Sequence, residues 1–114
     1  MEPVTEAELK AKAVAPRITP EHIEGIIEGE YYISADKLPN VLAEHIGNLM
    51  CLTLCVLVLK NGFTVVGQSA CASPDNYNYD IGKRLARQDA FNKIWQLEGY
   101  LLRSQLAVKQ EQQD

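Results

Sequence analysis

Two apolar, strand-like segments joined by Asn61-Gly62 constrain the fold of this 114-residue chain more than any other feature. The first segment covers residues 50–59 and the second covers residues 63–72. Asn-Gly between two such segments is a strong signal for a β-hairpin, because both residues adopt the positive φ angles of a type I′ turn. The pattern therefore predicts an antiparallel hairpin with a two-residue loop at the centre of the fold.

A two-residue loop also predicts a register, in which Lys60 lies opposite Phe63 and Leu54 lies opposite Ser69. One face of the hairpin then carries Leu52, Leu54, Val56, Val58, Phe63, Val65 and Cys71, and the other carries Cys51, Cys55, Leu57, Leu59, Val66, Ala70 and Ala72. Both faces are apolar, unlike those of an antiparallel sheet with one solvated side. We expect one face to pack on helices of the same chain and the other to need a partner subunit.

A first helix is predicted before the hairpin. Thr19 is its expected N-cap, and its apolar stripe contains Ile23, Ile26 and Ile27 at helical spacing. We expect this helix to end near Gly29, because glycine and the aromatic residues that follow it favour other conformations.

A second, much longer helix is predicted after the hairpin, with Asn78 as its N-cap. Its apolar stripe continues to residue 107, so an unbroken helix of about 29 residues would be ~43 Å long. A compact domain of this size has a radius of gyration of only about 13 Å. The helix is therefore expected to extend beyond the domain and pack on a neighbour, or to bend at Gly99.

These elements predict an α+β fold: a helix, an antiparallel three-stranded sheet with a central Asn-Gly hairpin, and a long C-terminal helix. Residues 30–34 supply the third strand, and residues 35–48 give no clear pattern. The predicted division is a flexible N-terminal segment at 1–17, a single domain at 18–108 and a disordered tail at 109–114.

The charge is unevenly distributed along a chain whose net charge is −4. Residues 1–44 contain nine acidic and four basic side chains, whereas residues 80–114 contain five acidic and six basic ones. An acidic protein with a local basic patch suits a small anionic ligand better than a long polyanion. The candidate ligand site at the start of the long helix contains Asn76, Tyr77, Tyr79, Lys83, Arg84 and Arg87. The alternative interpretation is a solvated helix face with the ion pairs Asp80–Arg84 and Asp89–Lys93.

The three cysteines predict neither a disulfide nor an active site. Cys51 and Cys55 lie ~13 Å apart on one strand, which is too far for a disulfide and favours reduced thiols. Cys71 as a nucleophile would need His22 or His45 as a base, and no third group to orient that base is evident. No catalytic residue, metal site or cofactor is predicted. No secretion signal or membrane span is predicted either, because the N-terminus is acidic and residues 49–59 are too short to cross a bilayer.

Several long segments resemble a small family of phage and prophage proteins, the N-four gene-product-forty-nine type. They are residues 17–23 (RITPEHI), 55–65 (CVLVLKNGFTV), 69–77 (SACASPDNY), 81–83 (IGK) and 93–102 (KIWQLEGYLL). The resemblance extends over roughly residues 17–107 and is weakest at residues 35–48. It implies an accessory protein, absent from the virion, that acts inside the infected host cell. It implies no biochemical activity.

The sequence and the resemblance together predict a non-enzymatic phage accessory protein of the host cytoplasm that binds a host protein or a small anionic ligand. We expect a homodimer with Trp95, Gly99 and Tyr100 at its interface, since Gly99 allows a close approach of helices. The alternative is a nucleic-acid or nucleotide-binding module that uses the basic start of the last helix. Its predicted topology is similar to that of double-stranded-RNA-binding domains, but the acidic first helix argues against this function.

Overall fold

The computed structural model describes residues 3–12 and 15–113. Its helices are α1 (Glu6–Lys12), α2 (Pro20–Ile26), α3 (Ile46–Met50) and α4 (Tyr79–Gln113), and its strands are β1 (Ile27–Ser34), β2 (Leu52–Leu59) and β3 (Thr64–Ala70). The strands form one antiparallel sheet in the order β1-β2-β3. The predicted α+β class, the three-stranded sheet with a central hairpin and the long last helix are therefore confirmed.

The hairpin loop differs from the predicted type. The Gly62 N–H donates to the Leu59 carbonyl, and the Leu59 N–H donates to the Phe63 carbonyl, each at 2.8 Å. The loop therefore has three residues, and of the Asn-Gly pair only Gly62 has a positive φ, at 90°. Asn61 instead accepts a hydrogen bond from the Phe63 N–H through its side chain at 2.9 Å. This is the three-residue hairpin with glycine in the left-handed position, not the type I′ turn.

The longer loop shifts the register by one residue. Ser69 pairs with Thr53 and not with Leu54, and Val65 pairs with Leu57. Because side chains alternate along a strand, a shift of one residue moves every side chain of one strand to the opposite face. The predicted division of β3 residues between the two faces was therefore wrong.

The inner face of the sheet forms the core with α2 and α4. The sheet, α2 and α4 contribute the buried core residues Ile23, Cys55, Leu57, Leu59, Val65, Ala86, Ala90 and Ile94. Gly67 lies where α4 crosses β3, and a Cβ at this position would collide with the Ala86 carbonyl and the Ala90 N–H. The missing side chain is therefore what allows α4 to pack directly on the sheet.

The pairing register places the following residues on the outer face of the sheet, which is mostly apolar: Gly29, Tyr31, Ile33, Leu52, Leu54, Val56, Val58, Thr64, Val66, Gln68 and Ala70. Among the described residues that line this face, none is buried. The chain thus covers one apolar face with its own helices and leaves the other accessible.

Two boundaries differ from the predicted ones near α2 and β1. Ile27 belongs to β1 and pairs with Leu59, so α2 ends at Ile26 and the strand begins before residue 30. Ile27 is extended, with φ −81° and ψ 120°, because sheet pairing overrides the helical spacing of the isoleucines.

Helix α4 is continuous through Gly99 for 35 residues and is therefore ~52 Å long. The molecule measures 63 × 36 × 19 Å, and its radius of gyration is 18.5 Å. Of the two predicted alternatives, extension beyond the domain is the one observed. Helix α4 also includes residues 109–113 of the predicted tail, and α1 lies within the predicted flexible segment. Residues 1–2, 13–14 and 114 of those two segments lie outside the described residues, and the division into segments stays a prediction.

Candidate functional site

The start of α4 is fixed by its predicted N-cap. The Asn78 side chain accepts a hydrogen bond from the Ile81 N–H at 3.1 Å, and the Gly82 N–H donates to the Asn78 carbonyl at 2.9 Å. Gly82 lies against Thr53 of β2, where a Cβ would be only 2.6 Å from the threonine hydroxyl. The first turn of α4 is thereby held close to the sheet.

Lys83 lies between two tyrosine rings at this end of α4. Its ammonium nitrogen is 4.9 Å from the centre of the Tyr79 ring and 6.0 Å from that of the Tyr32 ring. Among the ion pairs of the described residues, none involves Lys83. Aromatic faces attract cations through their quadrupole, so the two rings position this charge without neutralising it.

Arg84 and Lys93 each form an ion pair with an aspartate that lies one turn earlier on α4. Arg84 lies 3.2 Å from Asp80, and Lys93 lies 3.6 Å from Asp89. These are the two pairs that the alternative, solvated-face interpretation predicts, and both are confirmed. The Arg84 pair is largely exposed, so it contributes little to stability.

Arg87 joins three elements of the fold. Its guanidinium donates two hydrogen bonds to Glu24 of α2, at 3.0 and 2.7 Å, and a third to Glu30 of β1 at 2.9 Å. The hydrogen bonds to Arg87 hold the pKa of the Glu24 carboxyl below its usual range, and the two glutamates raise the pKa of the arginine. Arg87 is therefore already neutralised by two carboxylates.

The predicted ligand site is thus only partly assembled. Tyr79, Lys83 and Arg84 lie on the first turns of α4, with Asn76 and Tyr77 at the turn before it. The Arg87 guanidinium points to Glu24 and Glu30, and its place in a ligand site beside Lys83 stays a prediction. These contacts could not be predicted from the sequence, because Glu24 and Glu30 lie 63 and 57 residues before Arg87. A ligand site at these six residues stays a prediction.

The predicted interface residues lie on two different surfaces. Trp95 and Gly99 line a groove formed with Leu9 and Ile18 of the same chain, whereas Tyr100 lines a depression beside Phe63. Nothing lies within 4 Å of a Cβ built at Gly99, so no close helix approach occurs there within the described chain. Their place in an interface stays a prediction.

Two side chains of α4 cover the edge of β3, a feature that the sequence did not predict. The Lys93 ammonium donates to the Val66 carbonyl at 2.7 Å, and the Gln68 N–H donates to the Asp89 carboxylate at 2.9 Å. Edge strands with unpaired backbone groups attract other strands. The outward-facing carbonyl of Val66 and N–H of Gln68 are therefore already hydrogen-bonded, which protects this part of the edge of β3.

Among the described residues, no hydrogen bond joins a cysteine thiol to His22 or His45. His22 is 2.9 Å from Glu98, and Cys71 lies across the sheet from Cys51. Burial raises the pKa of the Cys55 thiol. Within residues 3–12 and 15–113, no cluster of three or more potential ligands suits a metal ion, and no helix has the length and hydrophobicity to cross a membrane.

The fold and these surfaces define an α+β protein in which a long helix backs one face of a three-stranded sheet and the other face is uncovered. The sequence profile of the phage protein (N4 Gp49/phage Sf6 gene 66) family matches residues 18–106. The match spans well over half of the chain, so the chain belongs to this family, as the resemblance predicted. No curated protein and no solved structure matches the chain.

Proposed function

We propose that this phage protein is a non-enzymatic accessory protein that acts by binding, as a homodimer, in the cytoplasm of the infected host cell. The observation that carries the proposal is the uncovered outer face of the sheet. A row of exposed or half-buried side chains, Tyr31, Val56 and Val66, crosses all three strands at its centre. Tyr31 and Val66 are 64% and 46% exposed, respectively. A contiguous apolar surface of this kind is characteristic of an interaction site.

A second copy of the chain is the occupant that best fits this face. None of the residues that the pairing register places on the outer face is charged, although the chain as a whole has a net charge of −4. A partner must therefore offer an equally neutral, apolar surface, and a second copy supplies one. Two such faces related by a two-fold axis form a closed contact, with the sheets about 10 Å apart. The charged residues of both copies then stay at the rim and in solvent.

Pairing of sheet edges is a less suitable mode of association at β3. The outward-facing Val66 carbonyl is already hydrogen-bonded to Lys93, and the outward-facing Gln68 N–H is already hydrogen-bonded to Asp89. A strand that added to this edge would first have to displace both side chains. Face-to-face packing requires no such displacement.

The proposal is tested by placing a charge on the outer face. Val66→Lys should convert a wild-type dimer into a monomer in sedimentation velocity, because an ammonium group would have to be buried in an apolar contact. The matched control is Leu85→Lys, since Leu85 is similarly exposed (55%) but lies on the solvent side of α4. Circular dichroism would show that both variants are folded.

The expected result is a monomer for Val66→Lys and wild-type behaviour for Leu85→Lys. If both variants sediment like the wild type, the outer face is not the interface. Loss of the dimer in both variants would contradict it as well, because the effect would then be independent of location.

A second candidate function, binding of a small anionic ligand such as a nucleotide, is supported by Lys83. Its charge is positioned by Tyr79 and Tyr32, and within the described part of the chain no carboxylate lies within 4 Å of its ammonium nitrogen. An anion would pair with the ammonium, and a base could stack on an exposed part of a tyrosine ring. Titration with adenosine monophosphate, followed by NMR, should shift the Tyr79 signals in the wild type and in Arg103→Gln but not in Lys83→Gln. Identical shifts in all three proteins would contradict this site.

A further inference from the structure

Cys51 and Cys71 lie opposite each other at the end of the sheet that is farthest from the hairpin loop. The last pair of the β2–β3 ladder is Leu52 with Ala70, and one residue further the Cys71 N–H donates to the Cys51 carbonyl at 3.0 Å. The Cys51 N–H donates instead to the Asn48 carbonyl, so a single backbone hydrogen bond joins the two cysteines. Opposite residues of neighbouring antiparallel strands have Cα atoms about 4.5–5.5 Å apart, which is within the range of disulfides. The backbone therefore places these two cysteines at a distance that a disulfide can span.

The side chains of this pair also lie close together. Both thiols are half-buried and free. The neighbouring Cys71 side chain and, to a smaller extent, partial burial raise the pKa of the Cys51 thiol. The Cys51 sulfur is 3.7 Å from the Gly47 carbonyl, so it is also held by the neighbouring helix α3.

Cys55 is excluded from this chemistry by its position. It is fully buried and pairs with Gly67, four residues before Cys71 on β3. Four residues along a strand correspond to ~13 Å, which no disulfide spans. Cys55 therefore provides an internal control.

We propose that Cys51 and Cys71 form a reversible intramolecular disulfide by exchange with a low-molecular-weight disulfide such as oxidised glutathione. The thiolate of one cysteine attacks a sulfur of the small disulfide and expels one small thiol. The thiolate of the other cysteine then attacks the protein sulfur of the mixed disulfide and expels the second small thiol. Two electrons pass to the small disulfide, and the two protons lost by the cysteines end on the two small thiols.

The bond would tie the start of β2 to the end of β3 and close a loop that contains the whole hairpin. Closing such a loop restricts the unfolded chain, so the denaturation midpoint should rise on oxidation and return on reduction. Because the Cys51 thiol is held protonated, closure should be slow at neutral pH and faster at higher pH.

The test equilibrates the native protein with mixtures of reduced and oxidised glutathione, followed by acid quench, alkylation in denaturant and mass spectrometry. The expected product has lost two hydrogens and retains one alkylated thiol. Trypsin should then release peptides 38–60 and 61–83 as a linked pair. Peptide 38–60 contains both Cys51 and Cys55, so the link should persist in Cys55→Ala and disappear in Cys51→Ser and in Cys71→Ser.

Three results would overturn the proposal. They are a disulfide between two chains on a non-reducing gel, a link that persists in Cys51→Ser, and a mixed disulfide with glutathione that never resolves. Circular dichroism of each variant shows whether it is folded, and having two serine variants keeps the test decisive if one of them unfolds.

Discussion

At the scale of single residues, two arginines three positions apart on α4 have different roles. Arg84 is paired with Asp80 and with no other carboxylate of the described residues, and its side chain is 72% exposed. Arg87 is 27% exposed and connects α4 to Glu24 and Glu30 through several hydrogen bonds. A planar guanidinium suits such a multidentate contact. Although the two arginines are close in sequence, Arg84 is a surface residue and Arg87 is a structural one.

We expect Arg87→Ala to lower the free energy of unfolding by about 1–2 kcal/mol, because it removes the hydrogen bonds and leaves Glu24 and Glu30 without their cation. The matched variant Arg84→Ala should change it by less than about 0.5 kcal/mol. Urea denaturation followed by circular dichroism measures both. Equal effects of the two substitutions would contradict the structural role of Arg87.

The same contact predicts a pH dependence. Arg87 lowers the pKa of Glu24 in the folded protein, so the stabilisation is present above the ordinary glutamate pKa of about 4.5 and is lost as the pH falls through the lowered value. The thermal midpoint of the wild type should therefore fall more steeply below about pH 4.5 than that of Arg87→Ala. Parallel pH profiles of the two proteins would show that Glu24 is not coupled to Arg87.

At the scale of elements, the distance between α4 and the sheet depends on Gly67. A Cβ there would meet backbone atoms of Ala86 and Ala90, which cannot move without displacing the helix. Gly25 in α2 is the contrasting case, since nothing lies within 4 Å of a Cβ built on it. The packing of α4 on the sheet requires glycine at position 67, whereas no contact requires it at position 25.

We expect Gly67→Ala to destabilise the protein by about 1–3 kcal/mol through overpacking. Gly25→Ala should instead be neutral or stabilise by up to about 1 kcal/mol, because alanine favours the helix. Chemical denaturation of both variants is the measurement. A Gly67→Ala protein as stable as the wild type would mean that α4 does not approach the sheet this closely.

The elements that the sequence predicted are those set by local interactions. The Thr19 side chain accepts a hydrogen bond from the His22 N–H at 3.1 Å, and Asn78 caps α4 in the same way. The hairpin was also predicted, but its register was wrong by one residue because the loop uses a positive φ only at Gly62. Contacts between distant residues, such as those of Arg87 with Glu24 and Glu30, leave no periodic pattern in the sequence and were missed.

At the scale of the whole molecule, two of the exposed apolar surfaces are candidates for the contact between subunits. One is the outer face of the sheet, and the other is the distal part of α4. There Leu97, Leu101 and Val108 continue the side of the helix that packs on the sheet, and they are 46–54% exposed. Leu97 and Leu101 line a groove with Phe63 of the hairpin. Because the paired positions of the outer face are uncharged and span all three strands, we propose that face as the contact of a dimer.

The measurement that tests this account most directly is the molar mass of the wild-type protein in solution, determined by light scattering at micromolar concentrations. Packing of two outer faces predicts a mass twice that of the 12.7 kDa chain. A mass of 12.7 kDa at every concentration would contradict the dimer and would mean that the outer face stays exposed to solvent in the isolated protein.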